Sequence, residues 1–197
     1  MLVIAVETAG MDGDKVPWTG RRHDDDSTES TGAPSAQGLF DAIFHALHDG
    51  EQVAIGFDCE LSLPAGDDAA DSDALLARAR GVEAGRGVVE LRHLVQELGR
   101  WRPWTIVTTS LPRWRATTSI LLWEAVSGSG AAGSPLDAIE AFFDTVRAGD
   151  QPDAGEPAQP VVNLAAAAAL DSEVSTDPAE LTRPLLRVSV GAKATAR

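Results

Sequence analysis

An α/β domain is the fold this sequence predicts, and three observations predict it. Leu2-Val3-Ile4-Ala5-Val6 is an unbroken apolar run, rich in β-branched residues, as expected of a strand buried on both faces. Leu39, Phe40, Ile43, Phe44 and Leu47 then recur at helical spacing, and Val53-Ala54-Ile55-Gly56-Phe57 forms a second short apolar strand. Strand, helix, strand is a crossover unit, and a crossover makes its two strands parallel.

The 197 residues, 44% of them apolar, suit a single domain over 1–197 with one core of ordinary size. A net charge of −14 argues against a surface that binds phosphate backbones as a whole, and so against a histone-like or ribosomal partner. Cys59 is the single cysteine, which excludes an intramolecular disulfide and makes a reducing compartment, the cytoplasm, the expected location. No stretch approaches the roughly 20 apolar residues of a membrane span, so no membrane is expected among the partners.

The strand Leu2–Val6 ends at Glu7, with Gly10 and Gly13 following, and Lys15 to Thr19 predicts a short second strand. The polar tract that follows, with three consecutive aspartates, predicts a mobile loop over 21–35. A helix runs from Ser35 to the stop signal Gly50, and the strand Val53–Phe57 ends at Asp58. Pro64 to Asp73 carries Asp67, Asp68, Asp71 and Asp73 and reads as a solvated loop. Helices follow over Ala74 to Arg80 and Val88 to Arg100, the second with Val88, Leu91, Val95 and Leu98 on one face. Trp104 to Thr109 and Ser119 to Val126 predict strands, and Ser134-Pro135 opens a helix carrying Leu136, Ile139, Phe142, Phe143 and Val146. A second mobile loop is expected over 149–160, then a helix over Leu164 to Leu170 and a last strand over Leu185 to Val190.

Chemistry concentrates first on Glu7 and Asp58, each at the carboxyl end of a hydrophobic strand. If the strands are neighbours, both carboxylates emerge on the sheet edge where open α/β sheets bind ligands. Paired oxygen donors suit Mg²⁺ or Mn²⁺, with a third ligand from Glu60, Glu124, or the helical pair Asp137 and Glu140. The alternative is that acidic residues simply end strands where the chain meets water. Asp137 also fits a capping box with Ser134, which accounts for it without a metal.

The blocks Val3-Ile4-Ala5-Val6-Glu7, Val53-Ala54-Ile55-Gly56-Phe57-Asp58-Cys59-Glu60-Leu61, Leu121-Leu122-Trp123-Glu124-Ala125-Val126-Ser127-Gly128 and Asp137-Ala138-Ile139-Glu140-Ala141 resemble, in content and order, those of a bacterial uncharacterised family described as predicted RNase H-like nucleases. The resemblance implies an RNase H-like mixed central sheet with helices on both faces and a two-metal site, with Mg²⁺ or Mn²⁺, that hydrolyses phosphodiester bonds. It places Glu7 at the first-strand acid, Asp58 at the fourth-strand acid and Asp137 at the acid of a late helix. The first-strand acid of that family is normally Asp, so Glu7 is one methylene longer. The hairpin expected after the first strand has little support in the residues between Gly10 and Ser35.

Arg100, Trp101, Arg102, Trp104, Arg113, Trp114 and Arg115 form a segment of +4 in a chain of −14. Guanidinium groups for phosphate and indoles for stacking are what a nucleic-acid groove needs, and Arg100, Arg102, Arg113, Trp114 and Arg115 are the candidate contacts. The alternative is arginine laid over tryptophan faces to close an edge of the fold. Gly128-Ser129-Gly130-Ala131-Ala132-Gly133 is formally a G-x-G-x-x-G loop, but Pro135 starts the helix after the third glycine, and no acid ends a strand about 20 residues on. His45 and His48 stand at i, i+3, His23 and His93 are isolated, and Cys59 beside Asp58 reads as a buried structural thiol. Three functional readings follow: a metal-dependent RNase H-like nuclease, an inactive binding or scaffold protein on the same fold, and, more weakly, a nucleotide-binding protein using the 128–133 glycine loop.

Overall fold

The computed structural model describes residues 1–8, 10–12, 15–23, 28–29, 35–66, 71–81, 86–100, 105–109, 111–116, 119–127, 134–148, 160–174 and 178–190. Strand β1 (Leu2–Val6) is buried throughout, as its apolar run requires. β2 (Trp18–Arg22) pairs antiparallel to it, beginning later than the expected Lys15 to Thr19. Pro17 has no N–H to give to a ladder, so it contributes only its carbonyl, which accepts from Glu7 N–H at 3.0 Å, and regular pairing starts at Trp18.

β3 (Thr28–Glu29) pairs with β2 at Gly20 and Arg21. The expectation of a structureless loop over 21–35 is corrected here: Arg21 and Arg22 belong to β2, and Thr28 and Glu29 form a short edge strand. Ladder bonds are made by backbone, so a polar tract can supply an edge strand without any apolar signal. The rest of that tract up to Pro34, His23 excepted, lies outside the described residues, as do Gly128 to Gly133 and all of 149–160 except Pro160.

Helix α1 (Ala36–His48) starts where Ser35 Oγ accepts Gly38 N–H at 3.1 Å, and it buries Leu39, Ile43, Ala46 and Leu47. It stops at Gly50, whose φ of 76° is the left-handed conformation glycine tolerates. The chain then enters β4 (Val53–Phe57), which lies parallel to β1 in the register Leu2↔Val53 to Val6↔Phe57. β5 (Ser62–Pro64), α2 (Ser72–Gly81), α3 (Arg86–Arg100), β6 (Thr105–Val107), α4 (Leu111–Ala116), β7 (Ser119–Ser127) and α5 (Pro135–Ala148) follow. β8 (Val161–Asn163), α6 (Leu164–Asp171), a 3₁₀ turn over Pro178–Thr182 and β9 (Leu186–Val190) complete the described chain.

The main sheet has the order β3-β2-β1-β4-β7-β6, with β1, β4, β7 and β6 parallel and the β2 and β3 side antiparallel. β6 pairs with Ser119 to Leu121 of β7, and β9 pairs in parallel with Trp123 to Ser127. Together they line one edge of β7 end to end, joined where Leu186 N–H donates to Thr108 C=O at 3.0 Å. β5 and β8 form a separate two-stranded sheet.

Strand alternation divides the core in two. Leu2, Ile4, Val6, Val53, Ile55 and Phe57 face a layer containing α1, α2, α3 and α6. Val3, Ala5, Ala54, Leu121 and Trp123 face α4 and α5. The molecule is thus a mixed, mostly parallel sheet with helices on both faces. Gly56 is required at its position, because a Cβ there would stand 2.3 Å from Cζ2 of Trp123.

Candidate functional site

The ladder between β1 and β4 runs one step past the strands, with Asp58 N–H donating to Val6 C=O at 3.4 Å. Glu7 and Asp58 therefore occupy the next matched positions at the carboxyl edge of adjacent parallel strands, as the sequence predicts. By alternation these positions follow Ala5 and Gly56 toward the face covered by α5. Asp58 is exposed and its Oδ1 accepts Thr8 N–H at 2.6 Å, tying the two strand ends together. Glu7 is half-buried, and its Oε2 lies 3.8 Å from where a Cβ on Gly10 would stand. Among the described residues its carboxylate has no arginine or lysine partner.

Three of the other candidate carboxylates, Glu124, Asp137 and Glu140, are engaged elsewhere. Glu124 pairs in register with Phe57, so it follows Ile120 and Leu122 onto the opposite face of the sheet. It is 3% exposed, with Oε2 accepting Leu61 N–H at 3.5 Å and Oε1 3.5 Å from Arg187. Burial raises its pKa above the usual carboxylate range, Arg187 and the Leu61 amide pull it back, and Glu60 adds to the rise. Asp137 forms the capping box: its Oδ2 accepts Ser134 Oγ–H at 2.9 Å and Ser134 N–H at 3.2 Å, while Asp137 N–H donates to Ser134 Oγ at 3.2 Å. Glu140 lies 3.6 Å from Arg21, which pairs with Val3 in mid-strand, away from the carboxyl edge. Glu60 is exposed.

Among the described residues no group of three or more His, Cys, Asp or Glu side chains is arranged to hold a metal ion. The expected convergence of Glu124, Asp137 and Glu140 on Glu7 and Asp58 is corrected accordingly: register sends Glu124 to the other face, the helix start holds Asp137, and Arg21 draws Glu140 toward mid-strand. The strand-end pair alone is matched in position.

The Arg and Trp segment also differs from the expectation. Trp114 is fully buried in α4, its indole N–H donating to Val53 C=O and Ser119 C=O, each at 3.1 Å, so its ring cannot stack on a base. Arg113 pairs with Glu180 at 3.1 Å, and Arg115 donates to Val146 C=O at 2.7 Å. Arg100 pairs with Glu97. Trp101, Arg102 and Trp104 lie outside the described residues.

Cys59 is half-buried, and burial together with Asp58 and Glu124 pushes its thiol pKa up to about 12. A thiol in that environment stays protonated, consistent with a structural residue. His93 lies 4.0 Å from both Glu90 and Glu97 on α3 and meets Phe40 edge-on.

Sequence reasoning missed the buried carboxylate Glu180, 1% exposed. Its Oε2 accepts Thr108 Oγ–H at 2.6 Å and Thr108 N–H at 3.1 Å, and Asn163 donates to Thr108 Oγ1 at 3.0 Å and Arg183 C=O at 3.2 Å. Ser62 Oγ accepts Leu185 N–H at 3.0 Å. Of the buried polar residues Ser62, Thr108, Ser119, Glu124, Asn163 and Glu180, all except Ser119 take part in bonds that dock residues 180–187. The only local signal for this seam is Pro178, which marks a turn start and says nothing of the burial of Glu180.

Comparison with protein-family models, curated proteins and solved structures gives no match. No helix among the described residues is long and apolar enough to cross a membrane.

Proposed function

We propose that this chain is an RNase H-like domain that uses Glu7 and Asp58 to hold Mg²⁺ or Mn²⁺ and hydrolyses phosphodiester bonds. The observation that carries the reading is the matched placement of the two carboxylates at the ends of adjacent parallel strands, on one face of the sheet. The strand order β3-β2-β1-β4-β7 supports it further, because it supplies the hairpin that the family resemblance requires after the first strand. Two carboxylates with the remaining positions left to water and substrate phosphate are a donor set that Mg²⁺ accepts. A bound ion there would neutralise phosphate charge and lower the pKa of a coordinated water.

The chain's own contributions are specific. Thr8 N–H, 2.6 Å from Asp58 Oδ1, fixes the orientation of one carboxylate. Glu7 extends from a strand end pinned by its N–H bond to Pro17 C=O. Nucleic acid is the proposed substrate; of the described arginines of the basic segment Arg100 and Arg115 are exposed, Arg100 pairing with Glu97 and Arg115 with Val146 C=O.

A second reading, an inactive binding or scaffold protein, is favoured by the engagement of Asp137 and Glu140 with Ser134 and Arg21. Incubation of labelled single-stranded and duplex DNA and RNA with Mn²⁺ separates the two. The nuclease reading expects cleavage by the wild type that Asp58→Asn abolishes. Intact substrate of all four kinds would favour the scaffold.

A further inference from the structure

We infer that the cleft between β2 and α5 binds a small zwitterion, a molecule that carries a carboxylate and an ammonium group close together, as an α-amino acid does. The site is independent of the cation-binding reading above, since it opens beside the amino-terminal half of β1 and not at its carboxyl edge.

Register and helical spacing build the two walls. Arg21 stands opposite Val3 in the β1–β2 ladder, so it leaves the sheet on the side that Val3 shows to α5. His23 N–H donates to Met1 C=O at 3.1 Å, which carries the ladder one step on and puts the imidazole on the same side as Arg21. Glu140, Phe143, Asp144 and Arg147 recur at i, i+3, i+4 and i+7 and form one stripe of α5. Together the six residues line a cleft of about 250 Å³.

The strand wall is cationic and the helix wall mainly anionic. Arg21 approaches Glu140 to 3.6 Å, beyond hydrogen-bond length, and Arg147 donates to Asp144 at 2.8 Å in the last turn of the helix. Glu140 and Asp144 are 49% and 72% exposed at their side chains, and ion pairs so open to water contribute little, so exchanging one partner for a ligand of the same charge costs little. A lone anion entering here would meet two carboxylates and the negative end of the helix dipole, and a lone cation would meet Arg21 and Arg147. A zwitterion answers both walls: its carboxylate accepts from the forked donors of Arg21, and its ammonium group donates to Glu140 and Asp144, where the helix end also favours positive charge. The floor is aromatic. Phe143 is 3% exposed and meets His23 edge-on at 5.3 Å, which holds the imidazole in place and gives the carbon atoms of a ligand an apolar surface.

Backbone amide shifts of the full chain, followed by proton–nitrogen correlation spectroscopy, test this with L-alanine as the probe and its two halves, propionate and ethylammonium, as controls at equal ionic strength. L-Alanine should shift residues 21–23 and 143–147 along a saturable curve. Each control lacks one charge and should bind about tenfold more weakly or worse, the loss expected for one charge-assisted hydrogen bond. Arg21→Gln and Asp144→Asn should each weaken L-alanine binding by a similar factor, whereas Asp58→Asn should bind it like the wild type. Asp144 stands on an exposed helix surface, so its variant tests the site even where Arg21→Gln disturbs the sheet. No saturable shift in the folded wild type, controls that bind as well as L-alanine, or undiminished binding in both site variants would overturn the inference. Loss of L-alanine binding in folded Asp58→Asn would overturn the independence of this cleft from the strand-end pair.

Discussion

Two pairs of acidic residues lie toward the carboxyl edge of this sheet, and their surroundings are opposite. Glu124 and Glu180 are 3% and 1% exposed, and each is met by an arginine and a backbone N–H. Glu7 and Asp58 stand on adjacent strands, half-buried and exposed, with no arginine partner among the described residues, and Asp58 accepts Thr8 N–H. A buried carboxylate without compensation is too costly to keep, so the first pair must be satisfied by the protein itself and serves the fold. The second pair lies where the sheet edge meets water, which leaves its oxygens open to a ligand. The interior pair thus serves the fold, and the strand-end pair is the one proposed to bind a cation.

The largest effect is expected where the interior pair is broken. Glu180→Ala leaves Thr108 N–H and Oγ buried without their acceptor and Arg113 without its partner. Loss of one partner of a buried pair costs about 3 to 5 kcal/mol, toward the lower end here because Arg113 keeps part of its hydration. Urea unfolding monitored by circular dichroism measures it, and Glu180→Gln, which still accepts from Thr108, should cost less. A loss below about 1 kcal/mol, the net worth of one ordinary hydrogen bond, would contradict the structural role.

Next in size is Gly56→Ala, between the two regions. Its methyl would collide with the indole of Trp123, which packs on Phe142 at 5.0 Å, and overpacking of this kind costs roughly 1 to 3 kcal/mol. The near-ultraviolet circular dichroism of the tryptophans should change along with stability. An unchanged spectrum and midpoint would show that Trp123 has room to move.

β1, β4, β6, β7 and β9, with α1, α2, α3, α5 and α6, were legible because their apolar patterning is local. β3 was not, being two polar residues at an edge, nor were β5 and β8 at three residues each. α4 was hidden because its Trp114 read as part of a basic aromatic patch, although Leu111 and Trp114 at i, i+3 are the buried side of one short helix. Glu7 and Asp58 were legible as strand ends. Glu124 was read as a ligand because the sheet face it takes depends on the register Phe57↔Glu124, which no short stretch of sequence contains. Glu180 depends on contacts with residues as distant as Thr108 and Arg113, so its burial has no local mark.

A smaller effect concerns pH. Burial raises the folded-state pKa of Glu124 above its unfolded value, so the ionised group opposes folding at neutral pH, and that cost fades as pH falls through the raised pKa toward 4.5. Glu124→Gln should therefore gain stability relative to wild type at pH 7 and lose that advantage near pH 4.5. Glu51 runs the other way: burial alone would raise its pKa, but bonds from Arg22 and the N-terminal amine hold it below 4.5. Its contribution is present above pH 4.5 and is lost as pH falls through the lowered value. Thermal melts of Glu124→Gln and Glu51→Gln across pH 3.5 to 7 should thus diverge from wild type in opposite senses, and parallel curves would contradict both assignments.

The smallest effect is Ser134→Ala, which removes the cap of α5 and should cost about 1 kcal/mol. It should leave cation binding unchanged, since Ser134 and Asp137 serve the helix start. Weakened Mn²⁺ binding in this variant would return Asp137 to the ligand set.

The most direct measurement of the central claim is the melting temperature of the wild type and Asp58→Asn with and without millimolar Mn²⁺. An ion bound only by the folded state raises stability by mass action, so the wild-type Tm should rise with Mn²⁺ and the Asp58→Asn value should not. A folded wild type whose Tm is indifferent to Mn²⁺, or an equal rise in both proteins, would contradict the assignment of Glu7 and Asp58 as a cation-binding pair.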